Sequence, residues 1–303
     1  MSEEKREFNF LLVSDIHEKI DHVTKLKEEV KNIKFDFVIC LGDIVSVSSN
    51  QQGKEETIKI YEPKISDIFK ELEKIAPLIY IPGNHEPFTL FKNDSPKLSE
   101  NSLNLHNKFK ELTKDLFIIG IGGSPPILDG GDYNDEIIPF KSCDMKKILF
   151  EGYPYNTTGN SEENYVKSDL LIKKDLNSTL TNCKNYIEKN NYNKDNISFI
   201  LISHFGPLYT STNVQTYETN DGKNKKKIMY LGSEQLGNFF IENEKIFLNL
   251  HGHTHSSRGI ITIDNKKTVM NPGALCDGFY GSLTVKKNAN NEWMIISNSL
   301  NEL

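Results

Sequence analysis

The chain has 303 residues, enough for one large domain or two small ones with a sizeable core, and its 37% hydrophobic and 26% charged residues are those of an ordinary globular protein. A net charge of −6 offers no electrostatic attraction to nucleic acid or to an anionic membrane. No apolar run approaches the roughly 20 residues that cross a bilayer, and no early stretch has the layout of a secretory signal.

The four cysteines, Cys40, Cys143, Cys183 and Cys276, lack zinc-type pairing and are too sparse for a disulfide scaffold. Reduced thiols in a cytoplasmic protein are therefore expected. The basic side is nearly all lysine, with Arg6 and Arg258 the only arginines. Arginine grips phosphate with two parallel bonds, so a phosphate site here must use metals, histidines, backbone amides, or Arg258.

Taken in chain order, short apolar runs rich in β-branched residues predict buried strands at Phe8–Val13, Phe35–Leu41, Leu78–Ile81, Phe117–Ile121, Ile197–Ile202 and Ile246–Leu250. Between them, Ile65, Ile68, Leu72 and Ile75 share one helical face, with Pro63 suited to that helix's first turn. A second helical face carries Ile172, Leu176, Leu180, Cys183 and Ile187, which makes Cys183 a core residue. Shorter strands follow at Gly259–Ile263, Thr268–Met270, Ser282–Val285 and Trp293–Ile296. This order predicts one layered α/β domain over residues 1–303. The segment at about 125–160, rich in Gly, Pro, Asp and Tyr, reads as an insertion, and the polar stretch at about 213–227 reads as a mobile loop.

The polar residues that follow the strands are the informative ones. The first strand ends in Ser14-Asp15-Ile16-His17 and the second in Gly42-Asp43. The third ends in Gly83-Asn84-His85-Glu86, a later one in Ser203-His204, and the next in His251-Gly252-His253-Thr254-His255. In open α/β sheets ligands bind beyond the carboxyl ends of the strands, where these five clusters can converge. Alternation in an extended segment would also send Asp15 and His17, and likewise His253 and His255, to the same side. Mixed carboxylate, imidazole and amide ligands suit manganese, iron, zinc or nickel, and their number suits two ions that share a ligand. Each piece alone is weak, since a lone Asp-x-His is ordinarily a surface pair and a Gly-Asp after a strand is ordinarily a turn.

Together these motifs resemble the calcineurin-like metallophosphoesterase superfamily, whose pattern is Asp-x-His, Gly-Asp, Gly-Asn-His-Glu/Asp, a lone His and Gly-His-x-His. The resemblance runs from Asp15 to His255 and implies a four-layer sandwich of two mixed sheets flanked by helices. It implies that Asp15, His17, Asp43 and His255 hold one metal, while Asp43, Asn84, His204 and His253 hold the other. It further implies that His85 donates a proton, or a hydrogen bond, to the leaving oxygen or the transition state, while a hydroxide bridging the metals attacks phosphorus. Glu86 either orients the His85 ring or caps the following turn. His251 reads as packed rather than ligating, and His22 and His106 fall in helical surroundings.

Ser256-Ser257-Arg258-Gly259 and Asn271-Pro272-Gly273-Ala274-Leu275 resemble a small-phosphoesterase branch, with Arg258 a candidate for binding substrate. Protein serine/threonine phosphatases carry Asp-Arg-Gly after the second motif, and purple acid phosphatases a tyrosine ligand there. Ile44, Val45 and Ser46 depart from both. DNA-repair nucleases of the superfamily need further capping domains. A scaffold of the retromer-subunit type is the alternative to an enzyme, but such relatives lose the catalytic histidine that His85 retains. The expected partner is a small phosphate ester, with a phosphodiester or nucleotide-type substrate favoured over a phosphomonoester or phosphoprotein. Tyr133, Tyr153 and Tyr155 either wall the leaving group or pack the insertion onto the domain.

Overall fold

Alternation along the first apolar run decides how the layers stack. Phe10 and Leu12 point into one core and Leu11 and Val13 into another, so this strand is buried on both faces. The computed structural model describes residues 5–48, 50–132, 148–150, 152–155, 162–208, 210–218 and 226–303. Its first half holds β1 (Glu7–Val13), α1 (Ile20–Glu29), β2 (Phe37–Cys40), α2 (Glu55–Glu73), β3 (Leu78–Tyr80), β4 (Ser102–Asn104), β5 (Lys108–Thr113), β6 (Leu116–Ile121), β7 (Ile127–Asp132) and β8 (Ile148–Phe150). Its second half holds α3 (Glu162–Lys189), β9 (Ser198–Ser203), β10 (Val214–Glu218), β11 (Lys226–Tyr230), α4 (Glu234–Glu242), β12 (Ile246–Leu250), β13 (Gly259–Ile263), β14 (Lys267–Asn271), β15 (Phe279–Lys287) and β16 (Trp293–Glu302).

Two six-stranded mixed sheets form the centre, ordered β16-β15-β1-β2-β3-β4 and β13-β14-β12-β9-β6-β5. Helices α1 and α2 cover the outer face of the first, where Val23, Leu26, Ile65, Phe69 and Leu72 meet Leu11, Val38 and Tyr80. Between the sheets, Phe10, Leu12, Ile39 and Ile79 pack on Ile118, Ile200, Ile202 and Leu248. Helices α3 and α4 cover the second sheet, with Ile172, Leu176, Leu180, Cys183 and Ile187 against Phe117, Ile119 and Phe199. The result is the expected four-layer sandwich of two mixed sheets flanked by helices.

Two local expectations change. Pro63 lies in the middle of α2 rather than in its first turn. It sits on the exposed face with Lys59, so the carbonyl it leaves without an intrahelical partner is turned toward water. Where a mobile loop was expected at about 213–227, Val214–Glu218 and Lys226–Tyr230 pair as antiparallel strands, with residues 219–225 outside the described ones. They join a third sheet, β10-β11-β7-β8, whose last two strands come from the segment at about 125–160.

In that segment Tyr133 lies outside the described residues. Tyr155 is buried, its ring against Phe205 and its hydroxyl donating to Asp175 at 3.0 Å, which is packing onto the domain. Tyr153 meets Phe88 and Phe91 edge-on. Among the described residues no helix is long and apolar enough to cross a membrane.

Candidate metal centre

Strand register brings the motifs together. Val13 pairs with Cys40 and Cys40 with Tyr80, so three parallel strands end level and release Ser14-Asp15, Leu41-Gly42-Asp43 and Ile81-Pro82-Gly83-Asn84 side by side. In the second sheet Leu250 pairs with Ile202, which sets His251–His255 beside Ser203-His204. Backbone bonds then lace the loops together, from Asp15 N–H to Gly42 O at 2.9 Å and from His17 N–H to Asp43 O at 3.0 Å.

Extended alternation does not aim the ligands. Strand β1 stops at Val13, and Asp15, His17, Asp43 and His253 all adopt left-handed backbone with φ of 52°, 45°, 51° and 66°. Side-chain-bearing residues rarely sit there, and such strain is kept where a site over-determines it. Close approach adds its own demand: a Cβ on Gly83 would collide with the Asp43 carboxylate, and one on Gly252 with Ser14 and Asp15.

The loops assemble two candidate ligand groups that share Asp43, beside a third of His17, His255 and Cys276. Asp15, His17 and Asp43 each offer an atom within 4.8 Å of the others, and so do Asp43, His204 and His253. His255 completes the first group, with Nε2 3.3 Å from His17 Nε2 and 3.3 Å from Asp15 Oδ1. Asn84 completes the second, with Oδ1 3.0 Å from His204 Nε2. Asp43 Oδ2 lies 3.9 Å from His17 Nε2 and 3.2 Å from His204 Nε2, so a single oxygen faces both groups. Two buried atoms of the set, Asp15 Oδ1 and His253 Nε2, have no hydrogen-bond partner among the described residues. Buried polar atoms are ordinarily paired, and lone pairs of this kind aimed into a shared space fit divalent cations.

Electrostatics match. Burial works against ionisation of Asp43, yet His204 and His85 hold its carboxyl well below the usual range. Burial likewise opposes the charge on Asp15, and His255 and His204 overcome it. His204 is raised to about 9, since the Asp43 carboxylate outweighs the burial penalty, and His255 to about 11, where Asp15 does the same. His253 is pushed down to about 3 by burial and by His204 beside it.

A supporting layer was not visible in the sequence. Glu86 is fully buried, and its carboxylate accepts the backbone N–H groups of Asp43, Ile44, Val45 and Gly83. It therefore neither orients the His85 ring nor caps the following turn; it ties two ligand loops together. Gln52, also buried, donates to the carbonyls of Asn84 and Glu86. Ser46 Oγ lies 2.9 Å from His17 Nδ1. Asn271 donates to the carbonyls of Thr212, Thr254 and Ser257 and accepts the Gly273 N–H, so that amide is used within its own turn. Leu275 and Cys276 then bond the carbonyls of Ser14 and Asp15.

His85 borders the first group, its ring centroid 5.4 Å from that of His17. Its Nδ1 lies 3.1 Å from the Val47 carbonyl, and Val47 N–H donates back to the His85 carbonyl at 3.2 Å. Other residues stand apart. Arg258 stacks its guanidinium over Phe279 at 4.4 Å and reaches the Asn301 carbonyl, so its contacts are with the C-terminal strands rather than the ligands. His251 is buried with both ring nitrogens engaged, by Gly252 O and Thr212 Oγ1. His22, in α1, bonds Leu275 O. His106 is not in a helix: it follows β4, bridges to Gly120 and accepts the Gly122 N–H.

Comparison with known proteins bears on the fold and the family. No curated protein matches the sequence. A dimetal phosphatase from Danio rerio is similar in structure, with 12% identity over 97% of this chain and 100% of that one and a TM-score of 0.52. A candidate 5'-nucleotidase from Staphylococcus aureus is similar at 14% identity over 98% of this chain and 54% of that one, with a TM-score of 0.51. At such identities the likeness concerns the fold. The family model for calcineurin-like phosphoesterases matches residues 8–257, which takes in all five motif clusters. The chain belongs to the calcineurin-like phosphoesterase family.

Proposed function

We propose that this chain hydrolyses a phosphate ester with two divalent cations, one held by Asp15, His17, Asp43 and His255 and the other by Asp43, Asn84, His204 and His253. The observation that carries the reading is the placement of Asp43, whose Oδ2 faces both ligand groups while its Oδ1 accepts the His85 N–H at 2.9 Å. Cations held there would supply Lewis acidity to phosphoryl oxygens and to an attacking water. The mixed nitrogen and oxygen donors favour manganese, iron, zinc or nickel over magnesium or calcium.

The chain's own contribution is positioning and one proton. The Val47 carbonyl accepts a hydrogen bond from His85 Nδ1–H, which leaves Nε2 as the atom that can serve a leaving oxygen. No arginine fork joins the ligands: Arg6 bonds Asn291, and Arg258 stacks on Phe279. A site that grips phosphate through metals has little extra binding energy for a doubly charged monoester. A small phosphodiester or nucleotide-type substrate fits it better than a phosphoprotein.

The test compares bis(p-nitrophenyl) phosphate with p-nitrophenyl phosphate before and after chelation. Both activities should vanish with the metal and return with manganese, with the larger kcat/KM for the diester. Full activity in protein shown by elemental analysis to be free of metal would refute the mechanism. A strong preference for phosphopeptides would refute the substrate class.

A further inference from the structure

The two metal positions are supported in different ways. In the buried group, His204 is fully enclosed and its Nδ1 lies 2.7 Å from the backbone carbonyl of Leu41, a partner that no side-chain substitution removes. In the other group, His17 and His255 keep 18% and 33% of their side-chain surface open to solvent. Their outward nitrogens face side chains: His17 Nδ1 lies 2.9 Å from Ser46 Oγ, and His255 Nδ1 lies 3.6 Å from Asp277 Oδ2 and 4.0 Å from Cys276 Sγ.

The inward nitrogens of the same two rings, both Nε2, converge with Asp15 Oδ1. An acceptor on Nδ1 fixes the tautomer that leaves the Nε2 lone pair free, and it also fixes the plane in which that lone pair points. The turn carrying Cys276 and Asp277 is anchored to the ligand loop itself, because Cys276 N–H donates to Asp15 O at 3.0 Å. Ser46 follows Asp43 closely in the loop that Glu86 braces.

We infer that Ser46 and the Cys276-Asp277 pair are positioning residues for the solvent-facing metal position, and that they set its occupancy independently of the buried one. The inference rests on the two-metal reading above and adds that the two positions can be tuned apart. A family motif fixes the ligands; these outer partners lie outside those motifs.

Manganese binding to the full chain, followed by calorimetry and by electron paramagnetic resonance, tests this without reference to turnover. Wild type should bind two ions and give the signal of a spin-coupled pair. Ser46→Ala should weaken one binding event about tenfold or more and leave the other within about twofold, the scale seen when an outer partner of a ligating histidine is lost. The coupled signal should then give way to that of isolated manganese at limiting metal. Ser46→Thr, which keeps the hydroxyl, should restore both events, and Cys276→Ala should add to the loss in Ser46→Ala. Ser46 is exposed, so its replacement should fold; should it fail to, Cys276→Ala alone reads the same separation. Wild-type affinity for both ions in Ser46→Ala, or equal weakening of both events, would overturn the inference. Fewer than two ions bound by wild type would overturn the function proposed above and this inference with it.

Discussion

Glu86 and Asp43 each hold the other's loop: Glu86 accepts the Asp43 N–H at 3.0 Å, and Asp43 accepts the N–H of His85, the residue before Glu86, at 2.9 Å. Two buried carboxylates thus lie close together, and burial with the nearby Asp43 charge raises Glu86 to about 7. The arrangement is tolerable because four backbone N–H groups converge on Glu86.

Glu86→Ala should therefore damage structure and metal binding together. It leaves four buried N–H groups without acceptors, at a cost on the order of 3 kcal/mol or more. Denaturant unfolding should show that loss of stability, and manganese stoichiometry should fall because Asp43 is no longer fixed. Unchanged stability with two ions bound would refute the bracing role.

Much of this site was legible in the sequence because strand ends are easy to find. Apolar runs stop where polar clusters begin, as at Val13 before Ser14-Asp15 and Leu250 before His251, and parallel strands send those ends to one side. What stayed hidden depends on contacts between distant residues. Glu86 meets Ile44 and Val45, some forty positions away, and nothing local in the Asn84-His85-Glu86 motif announces it. The left-handed backbone of Asp15 and His17 was hidden too, since neither is a residue type that signals such a turn as glycine does. The pairing of β10 with β11 was missed because their short sequences, Val-Gln-Thr-Tyr-Glu and Lys-Lys-Ile-Met-Tyr, lack the apolar run of a core strand and flank a polar stretch.

Metal binding should compete with protons. Without metal, His204 is raised to about 9 and His255 to about 11, because Asp43 and Asp15 outweigh the burial penalty on their charge. Both rings are then protonated at pH 7 and lose the proton only as pH rises through those values. A cation needs the lone pair that the proton occupies, so manganese affinity should rise from about pH 6 to 8. Calorimetry in buffers of different ionisation heat should report release of about two protons at pH 7. Affinity independent of pH would show that these histidines do not bind metal.

Asp43→Asn should weaken both ions at once. It removes the negative charge that the two groups share, while the amide oxygen keeps much of the shape. The loss at each position should exceed the ~10-fold cost of removing a mere outer partner. Loss of one ion alone, by elemental analysis, would mean that Asp43 serves a single metal.

His85→Ala should separate proton donation from metal binding. The ring borders the first candidate group, yet its Nδ1 is committed to the Val47 carbonyl and the residue is absent from every candidate group. Manganese stoichiometry should therefore remain near that of wild type. Turnover should fall by about two orders of magnitude, the usual scale for losing a general acid. The size of that fall should track the leaving group. A poor alkoxide needs a proton as the bond to phosphorus breaks, so a methyl or glycerol ester should show the full loss. A nitrophenolate leaves as the anion and should show much less. Measuring kcat across a leaving-group series in both proteins would give a steeper dependence for the variant. An equal loss on every ester would instead assign His85 to holding the phosphoryl oxygens, and loss of one manganese would make it a ligand.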